Sequence, residues 1–278
     1  ASRGLGDVYK RQELTRTGIG LPAYYNDEVI IPSLMSRGLT LQDARDYNII
    51  GCVEPQKSGK TEGWHDAAFF NMCRPLELVF SNGMDKGVRI GPATGNVEDM
   101  TTFEQFYDAY KKQMDYAIQL LVNADNAIDM AHAERCPLPF LSSMVDDCMK
   151  VGKTVQEGGA VYNFTGPQGF GVANMADSLY SVKTLVYDEK KITMGELKEA
   201  LATNFGKGLG AEDVAAMTAK IANELKEAGK TIGEKEVAAI LNTVVAASEA
   251  PEVKANGERI LKLIEEVPKF GNDIPEVD

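Results

Sequence analysis

The sequence predicts a mixed α/β chain, and three observations carry that expectation. Residues Thr101 to Ala133 bring apolar side chains to one face at three- and four-residue steps. The stretch from Thr193 onward is rich in Ala, Lys and Glu, a helix-forming composition. Between the chain's entry and these helices, Asn48-Ile49-Ile50 is a short apolar run ended by Gly51, the pattern of a buried strand.

Composition narrows the class. The chain has 278 residues, 44% of them hydrophobic, enough to bury a sizeable core. Its formal charge of −12 argues against nucleic acid and anionic membrane surfaces as partners. No apolar run reaches the roughly eighteen residues of a membrane span, and no signal-peptide pattern opens the chain. A soluble, intracellular protein is expected. Cys52, Cys73, Cys136 and Cys148 form no CxxC pair, so four free thiols, most of them in the core, are expected rather than disulfides or a metal site.

In chain order, residues 1–17 share no periodicity with the rest of the chain. They read as a non-native scar, Ala1 to Gln12 resembling translated adapter sequence, and residues 18–278 as the domain proper. Leu21 to Asp27 reads as a loop-like entry before Val29-Ile30-Ile31-Pro32. Thr40 with Asp43 is an N-cap signal for a short helix from Leu41 to Tyr47. Glu62 to Phe80 is compatible with helix broken by Pro75, and Ser81 to Asn96 reads as a loop. Thr101 and Glu104 predict a capping box for the long helix, whose stripe of Phe103, Phe106, Tyr107, Tyr110, Met114, Ala117, Ile118 and Leu121 is expected to be core. Cys136 to Phe140 ends it at two prolines. Thr193 and Glu196 predict a second capping box, and Val214, Met217, Ile221 and Leu225 an apolar stripe closed by Gly229. Residues 205–258 read as a peripheral helical elaboration, and the final stretch reads as though the protein continues beyond it.

The chemistry is expected around Gly51-Cys52-Val53-Glu54-Pro55. Side chains two apart on an extended segment point the same way, so Cys52 and Glu54 can reach one small substrate. A neighbouring carboxylate disfavours a thiolate, which makes Glu54 a poor companion for a nucleophilic cysteine. It suits a cysteine that carries a hydrogen atom, and leaves Glu54 free as general base for a hydroxyl. Alone, the triplet also fits a core thiol beside a capping glutamate. Trp64-His65-Asp66 lies close by: Asp66 is a candidate to bind a polar substrate, with His65 orienting it or packing. A nucleophilic Cys52/His65 pair is the rival use. Gly166 to Gly171 lacks the Lys-Ser/Thr of a phosphate loop and reads as a tight turn near the active site. His132 is expected to cap or pack at the end of the long helix.

These residues carry a resemblance. Gly51 to Gln56 with Gly59 to Asp66 is similar to the active-site loop of glycyl radical enzymes. Asn26 to Pro32, His132 to Arg135, Pro137 to Phe140, Tyr162 to Gly169 and Pro268 to Asp273 extend the similarity across residues 18–278. It resembles most the B12-independent glycerol and propane-1,2-diol dehydratases and isethionate sulfite-lyase. The resemblance implies the family's ten-stranded α/β barrel with surrounding helices. It also implies a protein glycyl radical installed by a radical-SAM activating enzyme, with no bound metal. Cys52 would become the thiyl radical, Glu54 the general base, and Asp66 the residue that holds a substrate hydroxyl. The implied reaction eliminates water from a small hydroxylated substrate; sulfite loss is the alternative, and a non-catalytic remnant that binds or assembles is another. A homodimer in the cytoplasm, or within a bacterial microcompartment, is implied for the full-length protein. The sequence holds no Arg-Val-x-Gly-Tyr-type radical loop, so the radical glycine is expected outside this chain, which by itself should be inactive. The absence of a Cys-Cys pair disfavours pyruvate formate-lyase chemistry itself, and Asn71 to Glu77 leaves the usual diol dehydratase wording.

Overall fold

The computed structural model describes residues 5–18, 25–51, 53–208 and 234–270. The chain divides into two compact units, one of residues 1–67 and 126–166, the other of residues 68–125 and 167–278. Helix α1 (Leu5–Arg16) opens the chain.

In the first unit, α2 (Asp27–Ser36) begins where a loop was expected. The Asn26 side chain accepts a hydrogen bond from the Glu28 N–H at 3.0 Å, an N-cap that turns the following apolar run into a helix. Helix α3 (Leu41–Arg45) starts as expected, with the Thr40 hydroxyl accepting from the Asp43 N–H at 3.1 Å. It stops two residues before Tyr47. Leu34, Leu39 and Ala44 form the buried centre between these helices, with Ile30, Ile31, Tyr47, Tyr162 and Phe164 packed on it.

Strand β1 (Asn48–Ile50) lies where the apolar run placed it and pairs antiparallel with β2 (Glu54–Gln56), Ile50 opposite Glu54. The helix expected from Glu62 is instead strand β3 (Thr61–Trp64), parallel to β7 (Tyr162–Thr165) in the register Glu62 to Asn163 and Trp64 to Thr165. A helix there would place Gly63 in its interior, at a cost near ~1 kcal/mol. A partner strand about a hundred residues away offers the alternative. Asp43 fastens the pair to α3, accepting from the Lys60 ammonium at 2.8 Å and the Tyr162 hydroxyl at 2.7 Å.

In the second unit, β4 (Phe69–Asn71) pairs parallel with β8 (Gln168–Phe170). Pro75 lies in the first turn of α4 (Arg74–Phe80), where its missing N–H is harmless, so it starts a helix rather than breaking one. The loop from Ser81 contains a small hairpin of β5 (Met84–Asp85) and β6 (Val88–Arg89).

The long helix α5 (Phe103–Arg135) runs through both units. Its cap is one residue later than the sequence suggested. The Thr102 hydroxyl accepts from the Gln105 N–H, and the Gln105 side chain accepts from the Thr101 N–H. Its stripe is core for its first turns only: Phe106 and Tyr110 are buried, whereas Tyr107 and Ile118 are exposed.

After the short helices α6 (Pro139–Ser142) and α7 (Cys148–Val151) come β7 and β8. Helix α8 (Val172–Val182) passes into a π-helical turn at Lys183–Asp188. Helix α9 (Met194–Ala202) carries the expected Thr193–Glu196 capping box. Helices α10 (Glu234–Ser248) and α11 (Pro251–Glu266) complete the described elements; the stripe from Val214 to Leu225 lies outside the described residues. Phe106, Val79, Val97, Leu185 and Ile260 form the centre of this unit's core, so α11 packs into it.

The described strands make four two-stranded sheets rather than one closed barrel. Phe106 has no exposed surface. Phe106→Ala should destabilise the second unit by about 3–5 kcal/mol, through lost burial and the cavity left behind. Urea denaturation followed by circular dichroism measures it, and a loss below about 1 kcal/mol would contradict this packing.

Candidate active site

The β1–β2 connection presents the motif. Gly51, at φ +61°, supplies a left-handed backbone turn that favours glycine. The Glu54 carboxylate folds back over that turn and accepts the Val53 N–H at 2.8 Å. A β-carbon on Gly51 would lie 2.8 Å from Glu54 Oε2, so glycine is needed there for space as well as angle. Glu54 is 7% exposed, a buried position for an ionisable side chain. Cys52 itself lies outside the described residues.

His65 and Asp66 leave the end of β3. The His65 ring folds over Gly63, and its Cα and Nδ1 would stand 3.0 Å from a β-carbon on Gly166. Two glycines on adjacent strands therefore make the slot in which this imidazole lies. Its Nε2 is buried without a hydrogen-bond partner. Burial pushes the imidazole pKa below its ordinary value, against the pull of Glu54 and Asp66, whose negative charges both act on it. Neutral imidazole has one donor and one acceptor nitrogen. A neutral ring also brings no positive charge to stabilise a thiolate, which weakens the Cys/His nucleophile reading. Asp66 is exposed. The first unit thus gathers Glu54, His65 and Asp66 within electrostatic reach of one another.

Side chains on β3 alternate, and its other face holds residues that the sequence did not point to. Glu62, Trp64, Asp129, His132, Asn163 and Thr165 line a cavity of about 460 Å³. The Trp64 indole N–H donates to Asp129 Oδ1, and the Thr165 hydroxyl to Asp129 Oδ2, each at 2.5 Å. His132 packs edge-on against Trp64, with centroids 5.2 Å apart, as a packing role requires. Alternation along residues 61–64 is the one sequence signal for this face, and it has meaning only once the segment is known to be a strand.

Of the described cysteines, Cys148 is buried, Cys73 half-buried and Cys136 exposed, so Cys136 departs from the expected core role. Among the described residues no three His, Cys, Asp or Glu side chains are grouped to hold a metal ion, and no helix is long and apolar enough to cross a membrane.

Burial, helped by the Asp129 charge, raises the Glu62 carboxyl pKa from 4.5 to about 7. The folded chain then binds more protons than the unfolded chain between these values, so stability falls as pH rises from about 4.5 to about 7. Glu62→Gln should flatten that part of the pH–stability curve and gain most over the parent above about pH 7. Thermal melts on either side of this window test it; parallel curves for parent and variant would contradict it.

Comparison with known proteins places this geometry. A family model for pyruvate formate lyase-like proteins matches residues 8–278. A solved structure from work on 1,2-propanediol dehydration in Roseburia inulinivorans is 61% identical, with a TM-score of 0.87 over 95% of this chain and 32% of that one. The glycerol-bound B12-independent glycerol dehydratase from Clostridium butyricum is 50% identical, with a TM-score of 0.75 over 99% of this chain and 29% of that one. The (2S)-3-sulfopropanediol dehydratase of Klebsiella oxytoca is 39% identical over 198 residues, 70% of this chain and 24% of the relative. The chain therefore spans about a quarter to a third of the length of these relatives. It belongs to the pyruvate formate lyase-like family of glycyl radical enzymes.

Proposed function

We propose that this chain supplies the thiol and the base of a glycyl radical dehydratase acting on a small vicinal diol. The observation that carries the reading is the turn in which Glu54 is buried against the Val53 N–H, next to Cys52 in sequence and within electrostatic reach of His65 and Asp66. Identities of 61% and 50% to structures concerned with 1,2-propanediol dehydration and glycerol dehydration favour loss of water over loss of sulfite.

A protein glycyl radical, installed by a radical-SAM activating enzyme, supplies the hydrogen-atom acceptor that makes Cys52 a thiyl. Cys52 then takes a hydrogen atom from the hydroxyl-bearing carbon, reforming its S–H bond and leaving a carbon radical. Glu54 accepts the proton of that carbon's hydroxyl. The neighbouring C–O bond breaks as the carbonyl forms, hydroxide departs as water on gaining a proton, and the product radical recovers a hydrogen atom from Cys52. Asp66 holds a substrate hydroxyl, and the neutral His65 orients it. Two-stranded parallel pairs such as β3–β7 are fragments of the family's ten-stranded barrel in this reading. The complete protein is a homodimer of the cytoplasm or of a bacterial microcompartment and needs no bound metal.

The test is turnover of the complete, anaerobically activated enzyme with propane-1,2-diol and glycerol, assayed for aldehyde. Cys52→Ala should abolish it, and Glu54→Gln should lower kcat by about 10²–10⁴-fold. Unchanged turnover in Cys52→Ala would overturn the reading.

A further inference from the structure

We propose that Asp129 is a positioning residue for the site, acting through the β3–β7 pair from the face opposite His65. Trp64 and Thr165 are partners across that pair, and one carboxylate holds both: Oδ1 takes the indole N–H and Oδ2 the threonine hydroxyl. The next residue after β3 is His65, and the next after β7 is Gly166, whose missing side chain makes room for His65. A slip of either strand brings the Gly166 backbone into the imidazole or opens the slot. Acceptance of two hydrogen bonds by a charged carboxylate is stronger and more directional than a neutral hydrogen bond, which suits a clamp. Asp129 is carried on α5, so the clamp is anchored outside the strand pair that it holds. His132, one turn later, closes on the Trp64 ring. Asp129 touches no reacting atom in this arrangement; it fixes where His65 and Asp66 leave the strand.

The inference rests on the reading of His65 and Asp66 as substrate-facing, and its test separates the two. Trp64 is the chain's one tryptophan and His65 one of its two histidines, so fluorescence and imidazole NMR report on them directly. Asp129→Leu severs both hydrogen bonds, while Asp129→Asn can still accept from the indole and engage the hydroxyl. Asp129→Leu should shift Trp64 emission to longer wavelength, move the His65 resonance (assigned by its loss in His65→Gln), and lower kcat/KM of the complete activated enzyme about 100-fold, as misplacement by an ångström does. Asp129→Asn should restore all three to near the parent. If Asp129→Leu does not fold, Thr165→Val, which removes one arm, must move the His65 resonance in the same direction. An unmoved His65 resonance in the folded variant, or parental kcat/KM, would overturn the proposal. Retained turnover in Cys52→Ala would instead sink the radical reading, leaving the fluorescence and NMR effects in place.

Discussion

The pairing of residues 61–64 with residues 162–165 is the contact on which the first unit depends. It closes a segment of about a hundred residues, and closure cost grows only logarithmically with length. Three local interactions offset that cost. Asp43 joins Lys60 and Tyr162 at one end, and Asp129 joins Trp64 and Thr165 at the other. Phe164 and Tyr162 add apolar contact against Leu34, Leu39 and Ala44. With the register held at both ends, alternation sends Gly63 and His65 to one face and Glu62 and Trp64 to the other. The candidate site and the cavity behind it are two sides of one strand pair.

Electrostatics on those two sides differ in kind. On the site face, burial keeps the imidazole neutral although two carboxylates pull towards protonation. Glu54 is satisfied at least in part by a backbone N–H of its own turn. Such a site is built for hydrogen-atom and proton transfer at neutral groups rather than for stabilising a thiolate. On the far face, Glu62 and Asp129 share one cavity, and the charge of the hydrogen-bonded Asp129 helps to keep a proton on Glu62. One carboxylate is thus engaged by two donors while its neighbour stays close to neutral.

Legibility in the sequence tracks how local each signal is. The Thr40 cap, the Thr193–Glu196 box and the Asn48–Ile50 strand are readable because their partners lie within a few residues. Strands β3 and β4 are not, because the partners that make them strands come a hundred residues later, and Glu62 to Phe80 offers no local period of its own. The cap of α5 lies one residue from its expected place because Thr101 and Thr102 are adjacent and Glu104 and Gln105 serve equally well by pattern. In the site, Glu54, His65 and Asp66 are legible through the motif and its flanks. Asp129 is not: an aspartate on the long helix announces nothing until the fold brings Trp64 and Thr165 to it.

The central claim is that Cys52 carries a hydrogen atom rather than attacking as a nucleophile. The most direct measurement uses propane-1,2-diol bearing deuterium on its terminal hydroxyl-bearing carbon, with the complete activated enzyme and mass analysis of the aldehyde. A hydrogen-carrying thiol returns deuterium to the carbon that lost its hydroxyl, so label should appear there. Aldehyde carrying only solvent hydrogen at that carbon, in the parent and in Cys52→Ala alike, would contradict the account.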